Sequence, residues 1–420
     1  MRGKLISTIA VAFWLGLVAP RDATAQAVPA RNTCVSCHTE AGDELAVPVK
    51  MMADDIHARR GLSCANCHGG DPNDDDVDRS MDPRKGFVGK PGSKQVSSFC
   101  GKCHSNPITM KRFNPGLRVD QEAEFATSIH GKRVASGDTK AATCISCHSA
   151  HGVRAVKDPN APVYPTRVAD TCARCHSNSD TMKAYGIPAD QVQKYQNSIH
   201  AETLLKKNDL SAPTCNDCHG NHGAAPPSTT SVANICGTCH IRQAELFSKS
   251  THKSTFEAMS LSDCVVCHGN HEIKRPTDEM VGTGSQAVCL TCHSPGETGF
   301  QAAEAMHQGL TALNARIAEA DEVLGRAAHA GMEVSKARFE LQDARDSLVN
   351  ARVVVHSFAP GEVEKAVSPG MEVSDKAYQA GLNALDELLF RRKGLAVSLV
   401  VIALAAFSIY LKIRQIERGT

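Results

Sequence analysis

Cysteine and histidine follow one repeated pattern along this chain of 420 residues. All 18 cysteines fall into nine Cys-x-x-Cys-His motifs, and none is left over. Two thiols at this spacing can add across the two vinyl groups of one porphyrin, and the adjacent histidine then ligates its iron. The motifs consist of Cys34, Cys37, His38; Cys64, Cys67, His68; Cys100, Cys103, His104; Cys144, Cys147, His148; Cys172, Cys175, His176; Cys215, Cys218, His219; Cys236, Cys239, His240; Cys264, Cys267, His268; and Cys289, Cys292, His293. We therefore predict nine covalently attached haem c groups.

Two other uses of paired cysteines explain the pattern less well. An exported scaffold with nine disulfides or a set of zinc ribbons would also carry an even number of cysteines. Neither requires a histidine directly after every pair, and only 19 residues of the chain are histidine. Aromatic residues make up 4% of the chain, so flat macrocycles are expected to fill the interior in their place.

The histidines outside the motifs nearly match the motifs in number. Ten such residues are present: His57, His130, His151, His200, His222, His252, His271, His307, His329 and His356. Ten for nine irons predicts two histidine ligands on every iron, with one histidine to spare. We expect His329 to be the spare, and a methionine such as Met51 or Met52 is the alternative ligand for one haem.

A repeat organises most of these histidines. The sequences "TSIH", "NSIH" and "KSTH" end at His130, His200 and His252, and two motifs follow each of them. A divergent copy precedes them at His57, so we number the copies 1 to 4 along the chain. In copies 2, 3 and 4 the first motif has an extra histidine three residues further on, at His151, His222 and His271. We predict that each extra histidine ligates a different haem from its neighbour, because it would have to pass around the macrocycle to reach the other face of the same one.

The C-terminal part is expected to supply a ligand that copy 1 lacks. From residue 306 apolar residues recur at alternating steps of four and three, which predicts two amphipathic helices interrupted near Gly331. Folded as an antiparallel hairpin, these helices bring His307 and His356 together at the open end. His329 then lies at the tip, so we predict His307 and His356 as iron ligands.

The two ends of the chain carry transport signals. Residues 1–25 have a basic start, an apolar stretch and small residues before Gln26, which is typical of a secretory signal peptide. Residues 394–411 are uncharged and long enough to cross a bilayer as a helix. We therefore expect a protein of the bacterial inner membrane, with its bulk in the periplasm and residues 412–420 in the cytoplasm. The balance of 46 basic against 45 acidic residues argues against nucleic-acid binding.

These features predict a mainly helical and irregular fold with little regular secondary structure. We expect a nonahaem cytochrome c domain over residues 26–300, the helical hairpin packing on it over residues 301–358, a helix or linker over residues 359–393, and the transmembrane helix.

The chain resembles multihaem c-type cytochromes with paired motifs. "ARVVVHSF" at residues 351–358 is similar to the helix that carries a late ligand histidine in the superfamily of pentahaem nitrite reductase and hydroxylamine oxidoreductase. That resemblance implies a distal ligand role for His356. The chain differs from many of the nitrite reductases because it has no Cys-x-x-Cys-Lys haem motif. It also differs from membrane tetrahaem quinol dehydrogenases, whose anchor is N-terminal.

Haems with two histidine ligands offer no open position for a substrate, so their chemistry is electron exchange. We expect an electron carrier without a catalytic residue of its own, exchanging electrons between quinol-linked or cytochrome b-linked membrane partners and periplasmic acceptors. The alternative is a reductase or oxidase of a small nitrogen or sulfur compound. It would need one five-coordinate haem, expected at Cys34 or Cys64.

Overall fold

The computed structural model describes residues 32–227 and 232–418, and over these ranges it contains helices and irregular segments but no strand. The mainly helical fold expected from the sequence is therefore confirmed. The predicted signal peptide lies outside the described residues. Two compact units are present: the first takes in the described residues up to Arg174 together with Gly220–Ala225, and the second takes in Cys175–His219 and the residues from Pro226 onward.

Before residue 298 the described chain consists of short helices joined by irregular segments. They are α1 (Thr33–Ala41), α2 (Asp43–Met51), α3 (Ile56–Arg59), α4 (Cys64–His68), α5 (Val77–Ser80), α6 (Ser93–His104), α7 (Pro107–Phe113), α8 (Gln121–Thr127), α9 (Ile129–Ala135), α10 (Cys144–His148), α11 (Pro165–His176), α12 (Ser179–Lys183), α13 (Gln191–Gln196), α14 (Ile199–Ala201), α15 (Cys215–His219), α16 (Val232–Gly237), α17 (Ile241–Ser248), α18 (Thr251–Ala258) and α19 (Asp263–His268). Single turns of 3₁₀ helix occupy Met52–Asp54, Pro83–Lys85, Asp278–Met280, Val288–Thr291 and Val355–Ser357, and Glu202–Lys206 is a π-helical turn.

Three of the motifs are helical turns closed by their own sequence. In α4, the side chain of Asn66 accepts a hydrogen bond from the backbone N–H of Ser63 at 2.6 Å. Ser146 does the same for Thr143 at 3.0 Å, and Asp217 for Thr214 at 2.7 Å. This local bond satisfies a backbone donor at the start of each short helix. A helical turn also places both thiols and the histidine, at positions i, i+3 and i+4, on one face.

A left-handed residue follows the histidine of four motifs. Gly69, Gly220 and Gly269 have φ of 70°, 85° and 72°, conformations that favour glycine. Ser149 takes the same place in copy 2 with φ 70° and ψ 158°, a strained backbone for a residue with a Cβ atom. The sharp turn ends the motif helix and directs the chain away from the histidine just passed.

Three long helices form a bundle at the C-terminal end of the second unit. They are α20 (Thr298–His329), α21 (Ser335–Val354) and α22 (Pro360–Glu417). Their shared core contains Leu313, Leu324 and Leu341, each with no exposed surface. The predicted pair of helices with a break near Gly331 is confirmed, and the structure adds α22 as a third member. Gly381 of α22 allows close packing, since a Cβ there would lie 2.7 Å from Val323 Cγ1.

The end of α22 has a different surface from its beginning. Its apolar window has a mean hydropathy of 2.4 and is not buried at all. Side chains such as Leu395, Ile402 and Phe407 are about as exposed as on an isolated helix. Length and composition therefore make this the one helix in the described part of the chain that is able to cross a membrane.

Candidate haem-binding sites

Histidine rings lie in facing pairs throughout both units. Among the described residues, the seven pairs named below have ring centres 5.9–6.3 Å apart. In the first unit they are His57–His104, His68–His151 and His148–His222, and in the second they are His200–His240, His219–His271, His252–His293 and His268–His356. Every pair joins one motif histidine to one histidine outside the motifs.

The spacing of these pairs fits an iron between the two rings. A metal-bound imidazole nitrogen lies about 2.0–2.1 Å from the metal, and its ring centre is about 1.1 Å further away. Two such ligands on opposite sides of one ion therefore have ring centres about 6 Å apart. The observed 5.9–6.3 Å agrees with this value, so the residues present fit a haem iron with two axial histidines.

The pairs follow a rule that connects the copies of the repeat. In copies 1, 3 and 4 the histidine that begins the copy faces the histidine of its own second motif. The extra histidine of copies 2, 3 and 4 instead faces the first motif of the copy before it: His151 faces His68, His222 faces His148 and His271 faces His219. Each extra histidine therefore lies opposite a motif histidine other than the one in its own motif.

Backbone hydrogen bonds hold consecutive copies in this register. The N–H of Ile56, just before His57, donates to the carbonyl of Val153 at 2.7 Å. Ile129 donates to Ala224 at 3.1 Å, and Ile199 donates to Ile273 at 2.8 Å. Each acceptor stands two residues after an extra histidine. One bond thus ties the start of a copy to the extra histidine of the next copy, which the sequence alone did not indicate.

The helical bundle supplies the partner for the last copy. No further copy follows copy 4, and its first motif histidine, His268, faces His356 at 6.1 Å. The sequence predicted that a haem of copy 1 takes a ligand from the C-terminal helices. In the structure, the histidine that faces one of theirs is His268, in the first motif of copy 4. The Nδ1 of His356 is 2.9 Å from the Val353 carbonyl, so its Nε2 is directed away from its own helix.

The bundle is attached to the preceding segment at Asp278. The guanidinium of Arg352 in α21 donates two hydrogen bonds of 2.8 Å to the Asp278 carboxylate. The Nδ1 of His307 in α20 is 3.1 Å from the Asp278 carbonyl. His307 therefore has one ring nitrogen fixed in the manner typical of ligand histidines. His329 is exposed at the opposite end of the bundle, as the hairpin predicted.

Burial favours the iron-binding form of three paired histidines, His148, His268 and His356. It lowers the pKa of His148 and His268, and the nearby rings of His222 and His356 lower each further. Burial likewise lowers the pKa of His356. A lower pKa favours the neutral imidazole at neutral pH, and neutral imidazole is the metal ligand.

Neighbouring motifs bring their thiols together. The thiol of Cys100 is within hydrogen-bonding reach of Cys144, and the thiol of Cys236 is within reach of Cys264. Each contact therefore brings together two cysteines that would hold different haems. Short separations of this kind are what electron exchange between centres requires.

Other predicted ligands also lie on helices. His130 lies in the first turn of α9, whose N-terminus is capped by the Ser128 hydroxyl, and His176 ends α11. His38 lies in α1, at the motif that precedes copy 1. In the described part of the chain no cluster of three or more His, Cys, Asp or Glu side chains forms a separate metal site.

Nine motifs for covalent haem attachment, seven of which have a histidine that faces a second histidine at the spacing of an axial ligand pair, define the class of the protein. The protein is a multihaem c-type cytochrome.

Known proteins support this class. The family described as "Cytochrome c554 and c-prime" matches residues 19–69 and 235–314. The chain is also 25% identical over 171 residues to the C-type polyheme cytochrome OmcC of Geobacter sulfurreducens. That similarity covers 36% of this chain and 21% of the relative, so the match spans about a fifth of the relative's length. No solved structure matches the chain significantly.

Proposed function

We propose that the protein is a membrane-anchored periplasmic electron carrier that conducts through nine haems, each with two histidine ligands. The observation that carries this proposal is the set of seven facing histidine pairs, in which both axial positions of each iron would be filled. Haem supplies reversible one-electron chemistry when bound, and the protein sets its potential through ligands, hydrogen bonds and burial.

The two motifs outside the seven pairs can be completed by the remaining histidines. The copy rule assigns the histidine that begins copy 2, His130, to the second motif of that copy at Cys172. His307, whose Nδ1 is already hydrogen-bonded to the Asp278 carbonyl, stays a predicted iron ligand. This assignment follows from the repeat and from the count of histidines.

The chemistry of the chain itself is to hold and separate the iron centres. Each motif would fix its macrocycle through two thioether bonds. For the first motif of copies 1, 2 and 3, the extra histidine of the following copy would supply the second ligand. Because the same short segment serves two haems, the distance between them is set by a few residues of backbone. An electron can then pass along the array without a diffusing carrier.

The anchor and the compartment belong to the same proposal. Residues 394–411 would cross the inner membrane, with residues 412–420 in the cytoplasm and the haem-binding segment in the periplasm. The donors and acceptors would be redox proteins at the membrane and in the periplasm, among them quinol-linked membrane partners. A chain ending at Lys393 is expected to appear in the soluble periplasmic fraction, whereas the full chain stays with the membrane.

Spectroscopy tests the electron-carrier proposal directly. Mass spectrometry of the mature protein should give nine haems, and low-temperature EPR of the oxidised protein should show low-spin ferric signals throughout. A stoichiometric high-spin ferric signal that changes on adding nitrite or hydroxylamine would contradict the pure carrier.

One observation favours the enzymatic alternative at a single haem. His38 is outside the facing pairs, so the motif at Cys34 is the place for a five-coordinate iron in a reductase or oxidase of a small nitrogen or sulfur compound. The facing rings of His68 and His151 argue against such a site at Cys64. A Cys34→Ser, Cys37→Ser variant should remove any high-spin signal if that alternative holds.

A further inference from the structure

Copy 1 of the repeat differs from copies 2 and 3 at one buried position. In copies 2 and 3 the helix that carries the first histidine is capped by Ser128 and Ser198, whose hydroxyls accept the N–H of Gly131 and Ala201. Asp55 stands at this position in copy 1 and is 2% exposed. A carboxylate in so buried a place requires partners that offset its loss of hydration.

The partners of Asp55 are a ligand histidine and the next copy. Its Oδ1 accepts the backbone N–H of His57 at 2.8 Å and lies 3.0 Å from the ring Nδ1 of His57. Its Oδ2 accepts the N–H of Val153 at 2.8 Å. The carboxylate therefore fixes the ring of His57 with Nδ1 as the donor, which directs Nε2 toward His104.

The other perpendicular histidine pair lacks such a partner. Only two of the seven pairs have nearly perpendicular rings: His57–His104 at 86° and His252–His293 at 78°. The Nδ1 of His252 is buried and has no hydrogen-bond partner among the described residues. The two pairs thus share perpendicular rings. They differ in the hydrogen-bond partner of Nδ1, which is Asp55 for His57 and is absent for His252 among the described residues.

We propose that Asp55 is a positioning residue that makes the haem held by His57 and His104 harder to reduce than the haem held by His252 and His293. A hydrogen bond to a carboxylate increases the electron donation of a ligand imidazole. Greater donation stabilises ferric over ferrous iron, so the reduction potential is lower. This inference rests on the proposed function, in which His57 and His104 share one iron.

EPR can observe these two haems separately from the others. Perpendicular imidazole planes leave two iron d orbitals close in energy, which gives low-spin ferric iron a signal with an unusually large g value. In a potentiometric titration of the full-length wild-type protein, we expect one such signal from each of these two haems. The one from His57 and His104 should disappear at the more negative potential as the protein is reduced.

Three variants test the role of Asp55. Asp55→Asn keeps the shape of the side chain, and Asp55→Ser restores the cap used in copies 2 and 3. Both should make reduction of this haem about tenfold more favourable, which is about 59 mV for one electron. Asp54→Asn is the matched control, since Asp54 is exposed and pairs with Arg154 and Arg59 instead of a histidine. An unshifted signal in Asp55→Asn, or an equal shift in the control, would overturn the inference.

His57→Met separates this inference from the proposed function. If His57 is a ligand, the substitution should remove one of the two large-g signals. If both signals persist, His57 and His104 do not share an iron and the proposed ligand arrangement fails. If one signal is lost but Asp55→Asn titrates as the wild type does, the arrangement stands and the role of Asp55 is refuted.

Discussion

The haem-binding segment before residue 298 and the bundle of α20, α21 and α22 are held together by different contacts. In the bundle the large, fully buried side chains are aliphatic, such as Leu310, Leu313 and Leu324. Among the described residues the segment contributes Leu204 and two helix caps, Asp55 and Ser128, to the largest fully buried side chains, whereas Ser374 is the one polar member from the bundle. The bundle has a conventional core made by its own sequence, whereas the interior of the segment is left to the macrocycles.

The difference in stability between the two regions should be largest in protein made without haem. The full-length chain made in cells without haem attachment is expected to keep α20, α21 and the start of α22 folded, because their core needs no cofactor. Backbone amides before residue 298 should exchange with solvent almost without protection, because burial by haem is what stabilises that segment. Hydrogen exchange read by mass spectrometry checks both parts in one sample, and protected amides in the haem-free segment would refute the comparison.

A substitution inside the bundle should act through ordinary core packing. Leu313 has no exposed surface, so Leu313→Ala should lower the free energy of unfolding of the bundle by about 2–5 kcal/mol. The Soret and EPR spectra of the haems should stay unchanged. Phe339→Ala is the matched control in the same bundle, since Phe339 is 80% exposed, and its effect should be within about 0.5 kcal/mol. Denaturant unfolding followed by helical circular dichroism measures both.

A substitution next to one motif of the segment should change the iron ligand of a haem held by another motif. The ring of His222 faces His148, so His222→Met should change the axial ligand of the haem of Cys144 and Cys147. A near-infrared methionine-to-iron band is the expected signature. His329→Met is the control and should produce no band, because His329 is exposed at the tip of the bundle.

The location of that band distinguishes the two possible haems. In a variant that lacks Cys144 and Cys147, His222→Met should produce no methionine-to-iron band. Persistence of the band there, and its loss when Cys215 and Cys218 are removed, would show that His222 serves its neighbouring motif after all.

The smallest effect concerns the turn after the motif of copy 2. Ser149 has φ 70° where copies 3 and 4 have glycine, so Ser149→Gly should relieve strain and stabilise the first unit by about 1 kcal/mol. Gly220→Ala is the converse change in copy 3 and should destabilise by a similar amount. Thermal unfolding of the holoprotein measures each, and a destabilised Ser149→Gly variant would contradict the expectation.

The repeat was predictable from sequence, but the register between its copies was not. Motif spacing and the recurrence of "SIH" reveal each copy because both are local. The assignment of His271 to the motif of His219, and of His356 to that of His268, depends on backbone bonds such as Ile199 to Ile273, which join distant residues. One feature of the sequence did indicate this register. Each extra histidine faces a motif of the preceding copy, and copy 1, which no copy precedes, has no extra histidine.

The bundle, too, could be predicted from the sequence only in part. Heptad spacing predicted α20, α21 and the break at Gly331, since periodicity is a property of each helix alone. That α22 packs against both depends on small residues such as Gly381 meeting Val323, which is a match between two surfaces. The burial of Asp55 could not be predicted from the sequence either, because an aspartate two residues before a histidine gives no indication of whether its side chain is buried.

Because α22 is continuous, it determines how far the histidine pair near its start lies from the bilayer. The helix runs without interruption from Pro360, a few residues after His356, to the apolar window that starts near Gly394. At about 1.5 Å per residue this stretch is about 50 Å long. With the window in the membrane, as proposed, the iron between His268 and His356 would stand roughly that far from the lipid surface. A quinol within the bilayer is out of reach at such a height, so this end of the array would require a partner protein that carries its own redox centre well into the periplasm.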